Sequence, residues 1–350
     1  MIFRDELKSA VLQICGNKPN AHTFEELALE VFRYQASQNP VYQQYLGYLR
    51  INPQKINRID KIPFLPIQFF KHHKVVSGAA PIQLTFESSG TTEKQKTSKH
   101  FVSDLPFYEL ISQQIFEKFY GYLSDYHILA LLPSYLERNN SSLVYMVQSF
   151  IYRTYSQQSG FYLNNHDELL ERLRQIVDNK QDRRKVLLIG VTFGLLDLAE
   201  SDNDFSFLEN IGDRLTIMET GGMKGRRKEL LREEVHEILT SRFHVSKIHS
   251  EYGMTELLSQ GYSKGDGVFE LPNTMKIFLR DVNDPFSPPK PSTQGKEFTR
   301  GGINVVDLAN IDSCCFIETQ DLGNVLDNQQ FTVIGRFDNS DIRGCNLMVL

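Results

Sequence analysis

Ten consecutive residues, Glu87-Ser-Ser-Gly-Thr-Thr-Glu-Lys-Gln-Lys96, hold four hydroxyls, one glycine and a basic end directly after the strand-like stretch Ile82 to Phe86. So many side-chain and backbone donors in a short loop suit an anionic oxygen such as a phosphate, which can satisfy several of them together. The same composition also serves ordinary solvent-exposed turns, and the loop lacks the wider glycine spacing and Lys-Ser/Thr ending of a P-loop. A second turn, Glu219-Thr-Gly-Gly-Met-Lys-Gly-Arg226, follows the strand-like Leu215 to Met218 and precedes a charged helix expected from about Lys228 to Ser241. Strand, glycine-rich turn and helix in that order put the turn at the C-terminal edge of a sheet, where α/β proteins bind ligands. A plain strand-to-helix turn has the same pattern. Further on come His249-Ser-Glu-Tyr-Gly-Met-Thr-Glu256, an isolated Asp321, Gly335-Arg-Phe-Asp338, and Cys345 near the end of the chain.

In their order and rough spacing, the loop at 88–96, the segment Tyr252-Gly-Met-Thr-Glu256, Asp321 and Gly335-Arg336-Phe337-Asp338 resemble adenylate-forming enzymes. That superfamily includes acyl-CoA synthetases, luciferase and the adenylation domains of peptide synthetases, and it activates carboxylates with ATP. Within it the chain most resembles the LuxE-type acyl-protein synthetases. That closer likeness rests on Glu87 to Thr92 with Ser98-Lys-His100, His249 to Glu256, Gly302-Ile-Asn-Val-Val-Asp-Leu308 and Arg343-Gly344-Cys345, and it covers residues 60–350.

The resemblance implies roles residue by residue. Ser88, Ser89, Gly90, Thr91 and Thr92 would form the phosphate loop, with Lys96 as its trailing lysine. Gly221 and Gly222 would lie close to adenine and Tyr252 would pack against it. Thr255 would bond the α-phosphate, Glu256 would hold Mg²⁺, and Asp321 would bind the ribose hydroxyls with Arg336 nearby. Most members continue beyond the position of Asp338 into a mobile lid carrying a catalytic lysine, so the lid is expected to be truncated or absent. In the resembling synthetases a cysteine near the C-terminus takes the acyl group from acyl-AMP and passes it to a reductase partner. Cys345 stands in that place.

Elementary chemistry makes matching demands. When a carboxylate attacks the α-phosphorus of ATP, two anions must meet and pyrophosphate must leave, so neutralising charge and positioning carry most of the catalysis. A hard Mg²⁺ shared between phosphate oxygens and a carboxylate such as Glu256 supplies part of this. A thiolate is a good acyl acceptor for the second step. By residue type alone, Tyr252 also reads as core packing, Glu256 as a cap or ion pair, Asp321 as part of a turn, Arg336 as a partner of Asp338, and Cys345 as a small hydrophobe beside Leu347 and Met348.

The elements that must position these residues alternate. Thr23 is a candidate N-cap for a helix running through Leu27, Val31 and Phe32, and Tyr42 to Leu49 continue the helical spacing. Pro63 and Pro66 argue for an extended connector between Lys61 and Phe70. Helices are expected over 105–120, 141–153 and 166–178, with buried strands at His127 to Leu132, Lys185 to Gly190, Leu215 to Met218 and Val245 to Ile248. β-like segments at 303–307, 314–318 and 331–334 follow, with Asp321 between the last two. The expected fold class is therefore α/β, an adenylate-forming core of mixed sheets flanked by helices with a β-rich C-terminal subdomain. Its expected parts are a helical region and connector at 1–75, the AMP-binding core at 76–338 and a tail at 339–350.

Composition narrows the rest. The 350 residues are 41% hydrophobic and 23% charged, ordinary for a globular protein with a sizeable core. With 38 basic against 43 acidic residues and no long run of one sign, nucleic acid is a poor partner. Four cysteines are too few for a disulfide scaffold and lack zinc-ligand spacing. Acidic residues stand where a signal peptide is basic, and no apolar stretch reaches membrane-spanning length, so a cytoplasmic location is expected. The expected function is ATP- and Mg²⁺-dependent activation of a carboxylic acid, a fatty acid by the resemblance, followed by transfer to a protein thiol that feeds an acyl-CoA-reductase-like or acyl-acceptor protein. A phenylacetate-CoA-type ligase and a non-catalytic nucleotide- or acyl-binding protein are the alternatives.

Overall fold

The computed structural model describes residues 3–16, 22–88, 96–133, 140–221, 230–289, 299–326 and 330–336. The chain forms two compact units: Pro81–Pro272 make one, and Met1–Ala80 with Asn273–Leu350 make the other. Among the described residues no helix is long and apolar enough to cross a membrane.

The discontinuous unit begins with α1 (Arg4–Cys15), α2 (Phe24–Gln38) and α3 (Pro40–Tyr48). Thr23 starts α2 as expected: its side chain accepts from the Glu26 N–H, and the Glu26 carboxylate accepts from the Thr23 N–H at 2.8 Å. Such reciprocal capping satisfies donors that the first turn leaves open, and a cap of this kind is worth about 1 kcal/mol. The two prolines leave room only for a two-residue strand, β1 (Leu65–Pro66). The expected connector ends early, because one helical turn, α4 (Phe69–His72), begins three residues past Pro66, beyond the reach of its ring.

The contiguous unit opens with an antiparallel pair, β2 (Leu84–Glu87) and β3 (Lys99–Val102). Strands and helices then alternate: α5 (Leu105–Tyr120), β4 (Tyr126–Leu131), α6 (Ser142–Thr154), β5 (Gly160–Phe161), α7 (His166–Asp178), β6 (Lys185–Val191), α8 (Thr192–Ala199), β7 (Leu215–Thr220), α9 (Arg232–Phe243), β8 (His249–Tyr252), β9 (Gly261–Ser263) and β10 (Val268–Glu270). The sheet order is β10-β9-β8-β7-β6-β4-β5, parallel from β8 to β5 and antiparallel at β9 and β10. β4 is buried along its whole length because both of its faces are covered. Leu129 and Leu131 belong to one buried apolar cluster with Leu169 and Leu173 of α7 and Leu239 and Phe243 of α9. Tyr126, on the alternate face, meets Phe116 of α5 at 5.6 Å between ring centroids. The strand expected at Val245 to Ile248 lies instead at His249–Tyr252, since α9 runs to Phe243 and His244 turns the chain in a left-handed conformation, φ 55°.

The discontinuous unit closes with β11 (Met275–Arg280), β12 (Thr299–Asp307), β13 (Phe316–Val325) and β14 (Phe331–Arg336), each antiparallel to the next, while β1 lies parallel to β13. Asp321 is inside β13 rather than between strands, opposite Arg336. The strand continues past it through an irregularity between Leu322 and Gly323, where a Cβ on Gly323 would stand 2.3 Å from the Thr332 carbonyl oxygen. Cys314 and Cys315 are buried free thiols, as their apolar setting predicts, and burial pushes Cys314 up to about 12.

Candidate functional site

The C-terminal ends of three parallel strands lie in register, with Val191 paired to Thr220 and Thr220 to Glu251. Polar residues gather at this edge: Thr192 directly after β6, Glu219-Thr220 at the end of β7 and Ser250-Glu251 next to the end of β8. Thr192, the first residue of α8, donates its hydroxyl to Glu219 Oε2 at 2.8 Å, and the Thr192 hydroxyl oxygen also lies 3.3 Å from the Gly221 carbonyl. Gly221 turns the chain out of the sheet at φ 77°, a conformation open to glycine without steric strain. Glu219 is 5% exposed. Burial raises its pKa, but His236, Arg232 and the neighbouring hydroxyls outweigh that and hold it below the usual carboxylate range. Arg232 Nε and His236 Nε2, both from α9, each stand 3.8 Å from Glu219 Oε1.

Glu251 sits one strand over, its Oε2 accepting from the Thr220 hydroxyl at 2.5 Å. Burial pushes it up to about 7; the Thr220 hydrogen bond pulls against that, and the nearby charge of Glu219 adds a smaller push upward. Tyr252 ends β8, buried, with its ring tilted at 5.8 Å from that of Phe269. The Arg232 guanidinium lies 5.2 Å from the same Phe269 ring, so α9 touches both Glu219 and the aromatic support of Tyr252. Beyond Tyr252 the chain turns through Gly253 into Thr255 and Glu256; Glu256 is buried and Thr255 partly exposed.

That turn is tied to the hydroxyl loop by a histidine. His100 Nδ1 lies 2.8 Å from the Thr255 carbonyl oxygen, and because a carbonyl only accepts, Nδ1 carries the proton. His100 is buried on β3, opposite Phe86 of β2, close to where the loop returns. The neck of the loop is closed by two bonds, Ser88 N–H to the Ser98 carbonyl at 3.0 Å and Ser98 N–H to Ser88 Oγ at 2.9 Å. Below it, Lys99 pairs with Glu87 at 3.3 Å, and the Asn140 amide donates to the other Glu87 oxygen at 3.0 Å. Lys96 is exposed just above the neck.

Ser88, Lys96, Gly221, Tyr252, Thr255 and Glu256 all belong to the contiguous unit. Ser89, Gly90, Thr91, Thr92, Gly222 and Cys345 lie outside the described residues. Asp321 and Arg336 belong to the other unit, where they pair with each other: Arg336 Nε donates to Asp321 Oδ1 at 3.2 Å, with Asp321 buried and the arginine largely exposed. The expected alternative, a bridge to Asp338, falls outside the described residues. Sequence reasoning gave no role to His100, Thr192, Glu219, Thr220 or Glu251. The signal available was Glu219-Thr220 directly after the expected strand Leu215 to Met218; Ser250-Glu251 gave none, because the strand was expected at Val245 to Ile248.

Among the described residues no group of three His, Cys, Asp or Glu side chains could hold an ion. A Mg²⁺ coordinated by phosphate oxygens, waters and one buried carboxylate requires no such group.

Comparison with known proteins bears on family and fold. The family model described as "Acyl-protein synthetase, LuxE" matches residues 8–350. Among solved structures, ATP-bound MatB from Rhodopseudomonas palustris is similar at 17% identity with a TM-score of 0.51, over 74% of this chain and 49% of that one. An ATP-bound chimera of RpMatB and BxBclM is similar at 17% identity and a TM-score of 0.52, over 74% of this chain and 48% of its own. At such identity these likenesses concern the fold, and the chain spans about half the length of the structures it matches. Comparison with curated proteins finds no match.

Proposed function

The chain belongs to the LuxE family of acyl-protein synthetases, and on that premise we propose that it activates a carboxylic acid with ATP and Mg²⁺, releasing pyrophosphate and forming an acyl-adenylate. The observation that carries the reading is the 2.8 Å bond from His100 to the Thr255 carbonyl, which ties the strand at the return of the hydroxyl loop to the Tyr252–Glu256 turn. A loop for departing phosphates and a turn for the α-phosphate must be held in constant relation if the in-line displacement is to proceed.

In this reading the residues at 88–92 with Lys96 bind the phosphates that leave as pyrophosphate. Gly221 and Gly222 border adenine, Tyr252 packs on it, Thr255 donates to the α-phosphate, and Asp321 with Arg336 holds the ribose. Glu256 would hold a Mg²⁺ ion, which when bound would supply neutralisation of phosphate charge. The attacking carboxylate is the nucleophile, so the protein supplies none in this step. Acid-dependent exchange of labelled pyrophosphate into ATP tests the proposal across a panel of fatty and aromatic acids. Exchange that rises with one class of acid, and falls about 100-fold in Thr255→Ala, is expected. ATP binding without exchange for any acid would mark a nucleotide-binding protein instead.

The acyl group then passes to a thiol. Family membership supports Cys345, in the tail at 339–350, as the acceptor, a fatty acid as substrate and a reductase or other acyl-acceptor protein as partner. The expected product is a hydroxylamine-sensitive acyl thioester on intact protein, found by mass spectrometry and lost in Cys345→Ser. Equal CoA-dependent AMP release by wild type and Cys345→Ser would identify an acyl-CoA ligase.

A further inference from the structure

Glu251 has no part in the roles above. It is buried at the end of β8, directly before Tyr252, and its Oε2 is bonded at 2.5 Å to Thr220 at the end of β7. Its other oxygen reaches forward along its own chain. An added Cβ on Gly253 would stand 2.3 Å from Glu251 Oε1, so the carboxyl occupies the space a side chain at 253 would need. The group therefore spans from the neighbouring strand to the turn that delivers Thr255 and Glu256.

From this bracing, and resting on the acid-activation reading, we propose that Glu251 is a positioning residue: its neutral carboxyl holds the Tyr252–Glu256 turn, and its ionisation slows adenylate formation. The groups around it make ionisation costly. Tyr262 is its partner on β9 and Tyr120 of α5 meets Tyr262 ring to ring at 5.3 Å, both phenols held protonated by burial. His249, two residues back on the same face, bonds the Tyr120 hydroxyl at 3.1 Å and stays neutral near physiological pH, because burial with Lys247 and Lys264 pushes it down to about 4. Glu219, on the neighbouring strand, is already charged. Arg232 and His236 approach Glu219, whereas Glu251 is bonded to a neutral hydroxyl. Ionised Glu251 would add a further carboxylate charge where a triphosphate and an acid anion must meet.

The test is the pH profile of pyrophosphate exchange on the full chain. Wild-type kcat/KM for ATP is expected to fall at least about ten-fold from pH 6.5 to 8.5, and that of Glu251→Gln less than about three-fold. Thr220→Val removes the bond that favours the charged form and should move the descending limb to higher pH. A readout independent of activity is carbon-13 NMR of labelled glutamate carboxyls, where one resonance should titrate near pH 7 in wild type and be missing in Glu251→Gln. Identical profiles in wild type and Glu251→Gln, or a Glu251 resonance titrating in the ordinary range, would overturn the inference while leaving acid activation standing. Absence of exchange in wild type at every pH would overturn both.

Discussion

The two edges of the parallel sheet carry polar clusters of similar composition in opposite electrostatic condition. At the N-terminal edge, His127 lies between Ser156 Oγ at 2.6 Å and Asp182 Oδ2 at 3.2 Å, and Arg184 grips Asp182 at 2.5 Å. The Arg184 hydrogen bonds hold Asp182 far below the usual carboxylate range, so the two charges there stand in direct contact. At the C-terminal edge, Glu251 is driven toward neutrality by burial and is bonded to a hydroxyl. One edge uses its ionisable groups to join strands and loops. The other holds a carboxyl poised near neutral pH, as sites that handle charge commonly do.

The comparison breaks first at Glu256. Glu256→Ala should lower acid-dependent pyrophosphate exchange about 100-fold, roughly 3 kcal/mol of transition-state stabilisation, with little change in Tm. A loss of Tm without loss of exchange per folded molecule would make the C-terminal edge as structural as the other. Next comes Gly253→Ala, whose added methyl must displace the Glu251 carboxyl. Steady-state exchange should fall about ten-fold and lose most of its pH dependence.

Asp182→Asn should show the reverse pattern, costing about 1–3 kcal/mol in denaturant melts at pH 7 and leaving exchange within about two-fold. Asp182 has a depressed pKa when folded, so its contribution is present above the unfolded value of about 4 and is lost as pH falls below it.

The smallest effects are in the slopes of stability against pH. His127 is pushed down by burial and then by Arg184, so the folded protein binds fewer protons there than the unfolded chain. Its contribution is lost as pH falls below about 6.5. Glu251 has the opposite sign: raised when folded, it gives stability that is full below about pH 4.5 and is lost as pH rises toward 7. Calorimetry from pH 5 to 8 should therefore find the acid limb flattened in His127→Gln and the neutral limb flattened in Glu251→Gln. Swapped limbs would refute the contrast.

Much of this was legible in the sequence for physical reasons that differ by residue. The helix at 166–178 was readable because Asn165 caps it, Asp167 and Glu168 suit its first turn, and Leu169, Leu170 and Leu173 share a face. The buried strand at β6 was readable from its unbroken apolar run. The placement of β8 was not, since His249-Ser-Glu-Tyr252 has no apolar alternation and is a strand only because β7 and β9 flank it. Asp321 looked like a turn residue because Gly323 follows, but that glycine marks a close approach inside a strand. The loop and the turn at 252–256 were each visible as strings of residues. His100, which joins them, was hidden because a contact across 155 positions leaves no local pattern.

The discontinuous unit bears on the order in which the chain is made. Gln35 of α2 donates to the carbonyls of Asn310 and Ile311 at 2.9 and 3.1 Å, and Asn39 donates to that of Ser313 at 2.9 Å. Asn310 leaves the ribosome 275 residues after the glutamine that needs it. Phe32, whose ring meets that of Phe316 at 5.9 Å, likewise gains that partner only after the contiguous unit has been synthesised. Until residue 310 is made, α2 lacks the carbonyls that Gln35 bonds in the finished protein.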